Sequence, residues 1–275
     1  MISHPSEQEI LQSLAKVEDI VNAANNRSDI RYFNFHKKRY LRMARTIAAK
    51  VPIGASVLNI GSHYLHTTLL FRFIGYEVYS MDVGFFWELD FVKERGTSHG
   101  LLEIIENDLE TFKSHKDISD RYDVVLFAEI LEHITFNPVL FWKRIYSIIK
   151  STGLIYISTP NSLNLYNIAR TLARIITLRG IGLPIGSIFE NVTYGHHWKE
   201  YSAREIRRYF QMLSDDFCVN TSFYHYREPG YHGFSCSVFS ILSTIGNALY
   251  FTSDEIEAIV TVDKSGSWKI ETPEY

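Results

Sequence analysis

Four short turns hold the residues whose types and spacing best suit a shared chemistry. Gly61 ends the run Val57-Leu-Asn-Ile-Gly61, and Asp82 ends Ser80-Met-Asp82. Asp108 and Leu109 close Glu106-Asn-Asp108-Leu109, and Glu129 follows Tyr122-Asp-Val-Val-Leu-Phe-Ala128. A glycine lets the backbone approach a ligand. A carboxylate placed like Asp82 accepts hydrogen bonds from both hydroxyls of a ribose. An acid beside an apolar residue, as in Asp108-Leu109, offers adenine an acceptor for its exocyclic amine and a surface for its face. Taken singly, each turn has a plain structural explanation: a tight strand–helix turn at Gly61, a helix cap at Asp82. Around one crevice they suit an adenosine-bearing ligand, with Asn59, Ser62 and His63 flanking Gly61 and Val83 following Asp82.

The candidates for proton transfer lie nearby in sequence or in a later segment. Glu129 and His133 share the run Glu129-Ile-Leu-Glu-His133, and His196 and His197 precede Trp198. Histidine exchanges protons near neutral pH, and a base within hydrogen-bond reach assists attack by a hydroxyl. Against this, His133 reads equally as a packed helix residue and His197-Trp198 as an anchor. Glu129, Glu132, His133 and a later histidine also invite a divalent ion, but such a set does not name a metal uniquely, and no metal is expected. An oxidoreductase using NAD would need a glycine fingerprint that is lacking.

The elements that must position these residues alternate. Short β-branched runs are expected at Ser56–Ile60, Glu77–Met81, Leu102–Glu106, Asp123–Phe127, Leu154–Ser158, Cys218–Tyr224 and Glu257–Val262. Helix-period segments separate them, with Leu65, Leu69 and Phe73 on one face and Phe141, Ile145 and Ile148 on another. Asn137-Pro138 and the capping box Ser202-Ala-Arg-Glu205 mark two helix starts. Five β–α units followed by a sixth and a seventh strand predict an α/β, doubly wound, mostly parallel sheet. Residues 1–50 read as an N-terminal helical extension. The densest positive charge, His36 to Lys50, is expected to be a solvated helix face.

Residues 51–275 form the predicted ligand-binding domain, with a cap insertion at 162–200 that breaks the alternation and covers the sheet or the site. Its Arg-bearing, partly apolar start, Leu165 to Arg179, reads either as an amphipathic helix packed on the domain or as a contact with a lipid-linked acceptor. Phe189, Tyr194 and Trp198 could give a sugar or ring a platform, or simply belong to a core.

Bulk properties exclude some classes. With 46% hydrophobic and 21% charged residues the composition is globular. A net charge of −3 gives no global argument for nucleic acid or an anionic membrane, and no nucleic-acid partner is expected. Two cysteines are too few for a disulfide framework. With no cationic start before an apolar stretch and no apolar run of membrane-spanning length, a cytoplasmic protein is expected.

Three segments carry a family resemblance. Tyr122-Asp-Val-Val-Leu-Phe-Ala-Glu-Ile-Leu-Glu-His-Ile134 resembles the "FDvV…EvLEH" signature of class I methyltransferases dependent on S-adenosyl-L-methionine (SAM). Lys150-Ser-Thr-Gly-Leu-Ile-Tyr-Ile-Ser-Thr-Pro-Asn161 is similar to their "LKPGG.L..STPN" segment. Tyr194-Gly-His-His-Trp-Lys-Glu-Tyr-Ser202 is similar to the "GH.REYT" segment of members associated with bacterial glycan and lipid biosynthesis. The resemblance spans roughly residues 56–262. It implies a seven-stranded sheet with an antiparallel last strand, and a methyl transfer from SAM that leaves S-adenosyl-L-homocysteine. It further implies Gly61 and its neighbours on the methionine part, Asp82 on the ribose, Asp108 and Leu109 on the adenine, and Ala128–Glu129 near the sulfonium. The acceptor implied is a small molecule, a sugar or a lipid-linked group, methylated on oxygen. One departure stands out: where the family has "(D/E)xGxGxG", this chain has Asn59-Ile-Gly61-Ser-His63-Tyr-Leu65. That change keeps open an inactive, methyltransferase-like binding protein, and the Glu/His set keeps open a metal-dependent RNA 2′-O-methyltransferase.

Overall fold

The computed structural model describes residues 3–183, 185–190, 195–225 and 234–273. Seven strands form one sheet: β1 (Ser56–Ile60), β2 (Glu77–Asp82), β3 (Leu102–Ile105), β4 (Tyr122–Ala128), β5 (Ile149–Pro160), β6 (Phe217–Tyr224) and β7 (Glu255–Val262). Their order is β3-β2-β1-β4-β5-β7-β6. The pairs among β1 to β5 are parallel, and β7 runs antiparallel to both β5 and β6. The chain therefore leaves β1 in both directions across the sheet, which opens a crevice at the carboxyl ends of β1 and β4.

Two helices precede the sheet, α1 (Glu7–Ala23) and α2 (Arg27–Ala48). A capping box between Ser6 and Glu9 starts α1, and the Asn26 side chain caps α2 by accepting from the amides of Ser28 and Asp29. Both pack on the sheet beside α3 (His66–Ile74): Val17, Val21, Met43 and Ile47 share one core with Leu69, Phe71, Val57 and Leu126. The opposite face is covered by α6 (Val139–Ile148) and α9 (Ala203–Leu213), whose Phe141, Trp142, Ile145, Ile206 and Phe210 pack on Leu58, Val125 and Ile155. Covered on both faces, β1 is buried along its whole length, with its polar Ser56 and Asn59 held by side-chain hydrogen bonds.

The capping box Ser202–Glu205 forms as expected, whereas the N-cap position of α6 falls on Pro138, with the Asn137 side chain accepting from the Val139 amide just before it. Between β2 and β3 lie α4 (Gly84–Trp87) and α5 (Asp90–Ser98). The expected helix between β3 and β4 is replaced by a single 3-10 turn, Lys113–His115. Past β5 come α7 (Leu165–Ile176) and α8 (Ile185–Glu190), and α10 (Phe234–Ala248) precedes β7. Among the described residues no helix is long and apolar enough to cross a membrane.

Candidate active site

The loop after β1 shows how this chain handles its missing glycines. Gly61, His63 and Leu65 all have positive φ, at +70°, +47° and +67°. The backbone thus keeps a left-handed residue at each alternate position, though two of the three carry side chains that resist it. Such a conformation costs roughly 1–2 kcal/mol for a residue with a Cβ. The side chains fold away from the strand end. Leu65 is fully buried against Trp87 and Val92, and the His63 ring stacks on Tyr32 at 4.3 Å and meets Phe86 at 4.4 Å. Burial pushes the His63 imidazole down to about 3, so it is neutral. Asn59, which stands where the related motif has an acid, donates to the hydroxyls of Thr67 and Thr68 at 3.0 Å and ties β1 to α3.

At the end of β2, Asp82 holds this loop in place. Its carboxylate accepts from the amide of His63 at 2.6 Å and from that of Val83 at 2.8 Å. Burial nevertheless raises its pKa to about 6. Asp82 lines a cavity of about 480 Å³ with Val83, Asp108, Leu109, Ile130 and Phe136. Asp108 is exposed, and its carboxylate turns onto its own loop, accepting from the Thr111 hydroxyl at 2.7 Å and the Glu110 amide at 3.1 Å. The Thr111 hydroxyl holds its pKa below the usual carboxylate range.

A second cavity, of about 490 Å³, adjoins the first, with Gly61, Phe86, Ile130 and His133 lining both. Asn59, Ser62, His63, Ala128, Glu129 and His197 also border it. A Cβ placed on Gly61 would lie 2.6 Å from Cδ1 of Ile130, so glycine is what lets Ile130 sit at the junction. Gly61→Ala should cost about 1–2 kcal/mol, read as a lower urea midpoint, because an L side chain resists this φ. Gly61→Asn should relieve the φ cost, since asparagine tolerates the left-handed region, but it keeps the close Cβ contact with Ile130.

Glu129 is itself left-handed, at φ +57°. Its Oε1 accepts from the Ser158 hydroxyl at 2.8 Å, and its Oε2 lies 3.4 Å from the Arg39 guanidinium. Glu132 is fully buried: Oε2 accepts from the Thr159 hydroxyl at 2.9 Å, while Oε1 has no hydrogen-bond partner among the described residues and lies 4.0 Å from His133 Nε2. Burial, and then the neighbouring Glu129 charge, push its pKa well above the usual range. The His133 Nδ1–H donates to the His196 carbonyl at 2.9 Å, which fixes the tautomer and leaves Nε2 as the free acceptor. Burial, followed by the nearby His197, keeps the His133 pKa low. Glu132, His133 and His197 each offer a ligand atom within 4.8 Å of the others.

Glu129, His133 and His197 thus converge on one cavity. His196 does not join them: its ring borders a separate groove of about 630 Å³ beside Asn167, Arg170, Arg174 and Lys199. Gly195 and His197 line both the groove and the cavity. Tyr194, the start of the third sequence motif, lies outside the described residues.

The cationic stretch of α2 meets the expectation of a solvated face at Lys38 and Arg45, which are exposed, and departs from it at Arg39. Arg39 is buried, and Tyr32, His36, Arg39, Tyr40 and Met43 form a wall of the cavity. The signal was present as helical spacing: positions 32, 36, 39, 40 and 43 share one face, and an arginine stands among its aromatics.

No protein-family model matches the chain, and no curated protein does. Solved structures do. A SAM-dependent methyltransferase from Archaeoglobus fulgidus superposes with a TM-score of 0.53 at 16% identity, over 86% of this chain and all of that one. A Haloferax volcanii methyltransferase in complex with the Trm112 activator gives 0.55 at 12% identity, over 83% and 92%. A Haemonchus contortus phosphoethanolamine N-methyltransferase in complex with SAM gives 0.50 at 14% identity, over 83% of this chain and 53% of that one. By strand order and by these likenesses, the chain has the fold of the SAM-dependent methyltransferases.

Proposed function

We propose that the chain is a SAM-dependent methyltransferase that methylates a hydroxyl of a small-molecule, sugar or lipid-linked acceptor. The observation that carries this reading is Asp82, a buried carboxylate at the end of β2 that braces a loop left-handed at positions 61, 63 and 65. The paired cavities fit the two halves of the cofactor. Asp82 would hold the ribose, Leu109 and Phe136 would face the adenine, and Gly61 and Ser62 would take the methionine part. When bound, SAM supplies a methyl group on a sulfonium with a good leaving group.

The protein's own task is then alignment, exclusion of water and management of one proton. The acceptor hydroxyl is taken into the α2-walled cavity, and His133 Nε2 receives its proton. That nitrogen is free because Nδ1 is committed to the His196 carbonyl, and the depressed pKa keeps the ring neutral and basic-competent near pH 7. Arg39 and Ser158 fix Glu129 at the cavity floor. Calorimetric titration with SAM and with S-adenosylhomocysteine tests the reading. Saturable binding by both is expected, and folded protein that binds neither would leave the inactive binding protein as the better description.

A second reading is favoured by one observation, the buried Oε1 of Glu132, which has no hydrogen-bond partner among the described residues and lies beside His133 and His197. A divalent cation held there would neutralise the paired glutamates and orient the two hydroxyls of a terminal ribose, as RNA 2′-O-methylation requires. Titration with Mn²⁺ followed by electron paramagnetic resonance should then show one site that Glu132→Gln removes. A free-ion spectrum unchanged by the protein eliminates this reading.

A further inference from the structure

Helix α7 lies on the surface, half-buried at Leu165, Asn167, Ile168, Thr171 and Arg174 and exposed at Arg170. Asn167, Arg170, Thr171 and Arg174 line the groove beside the catalytic cavity, whereas Leu172, Ile175 and Ile176 point to solvent. No residue of the helix is buried, and Ile176 is 80% exposed. Helix α10 packs alongside, close enough that a Cβ on Gly246 would stand 3.1 Å from Cβ of Leu165. It too leaves apolar side chains outside, Ile241 and Ile245, followed by Leu249 and Phe251, the last 69% exposed. Leu178, Ile181 and Phe189 extend the exposed series. Apolar surface gathered on neighbouring helices marks an interaction site rather than a face left to water.

Charge points to the occupant. Residues 161–189 contain Arg170, Arg174 and Arg179 and no acid before Glu190, and residues 234–253 contain no charged residue before Asp254, in a chain with 31 acidic residues and a net charge of −3. We infer that the α7–α10 face docks on an anionic lipid bilayer. Exposed Leu, Ile and Phe side chains enter the headgroup–acyl boundary, and the arginines meet anionic headgroups, each basic residue adding to attraction that salt screens. A second copy of the same face would bring arginines against arginines, and Glu200, the acid in the groove, is already held by Asn167. The groove lined by Arg170 and Arg174 then opens at the bilayer and leads, through Gly195 and His197, into the catalytic cavity. An acceptor headgroup is thereby drawn from the lipid itself, a consequence that rests on the methyltransferase reading, whereas the docking does not.

Co-sedimentation of the full chain with vesicles tests the docking without SAM. Phosphatidylcholine vesicles containing phosphatidylglycerol should retain the protein, pure phosphatidylcholine far less, and high salt should release it. The variant Ile176→Ser/Phe251→Ser should weaken retention by at least about tenfold, since two apolar side chains lose their burial. Its thermal unfolding should not change, because both side chains are exposed in the folded protein. No retention by anionic vesicles overturns the inference. So does a dimer in sedimentation velocity that the same variant dissolves, which would assign the face to a second copy. Intact vesicle binding without methyl transfer would count against the methyltransferase reading alone.

Discussion

Asp82→Ala is expected to weaken SAM binding by at least about a hundredfold, because hydrogen bonds to a charged acceptor are worth roughly 1.5–3 kcal/mol each and the ribose makes two. The variant also strands the amides of His63 and Val83, so part of its effect is a loosened loop. Asp82→Asn separates the two contributions, since it keeps an acceptor oxygen but removes the charge. The raised pKa of about 6 adds a pH signature. In the proposed site the ionised form would accept from both ribose hydroxyls, so affinity should be full above about pH 7 and fall as Asp82 protonates below pH 6, approaching tenfold per pH unit. The neutral His63, held at about 3, does not titrate in this window. Calorimetry at pH 5, 6 and 7.5 should show this slope in the parent protein and a flat response in Asp82→Asn. An affinity unchanged in Asp82→Ala would remove Asp82 from the site.

The second large effect is structural, at a buried charge cluster beneath the same loop. Asp29 on α2 is fully buried, accepting from His66 Nε2 at 2.7 Å and from the Arg95 guanidinium at 2.5 Å. Burial works against its ionisation, but the hydrogen bonds from His66 and Arg95 outweigh it and hold the pKa below the usual range. Arg95 also donates to the Tyr64 carbonyl, so the cluster joins α2 and α5 to the loop. Asp29→Ala leaves a buried guanidinium without its counter-charge and should destabilise by about 3–5 kcal/mol. Urea unfolding measures this. Asp29→Ala/Arg95→Met removes both charges and should recover part of the loss. A cost under about 1 kcal/mol would mean that water reaches Arg95 and that the cluster does not hold α2 in place.

Much of the fold was legible because the central strands β1, β4 and β5, covered on both faces, are mostly apolar and stand out without any partner. Each of the seven appears where its β-branched run predicts, and the last is antiparallel as the resemblance implied. The missed ends have specific causes. β5 begins at Ile149 because Lys150-Ser-Thr-Gly153 continues the strand through an irregular register, where the sequence shows turn residues. β7 begins at Glu255, two residues early, because Glu255 is a buried acid paired with Tyr224 across the ladder, a placement that local sequence cannot reveal. The site divides in the same way. Turn residues such as Gly61, Asp82 and Glu129 could be placed from strand ends alone. That His197 rather than His196 enters the cavity depends on the path of one loop, and Arg39 reaches Glu129 only because α2 lies across the sheet.

The strand order has a consequence for the order of events as the chain leaves the ribosome. β6 is synthesised before β7, yet its ladder partner is β7, which also fills the place beside β5. Until residues 255–262 emerge, β6 and the outer edge of β5 present unpaired backbone, the kind of edge that recruits strands from other chains. The parallel half, β1 to β4 with α1 to α3, pairs without waiting for them. Assembly is therefore staggered, and the interval before β7 closes the sheet is when a nascent chain most needs a chaperone's cover.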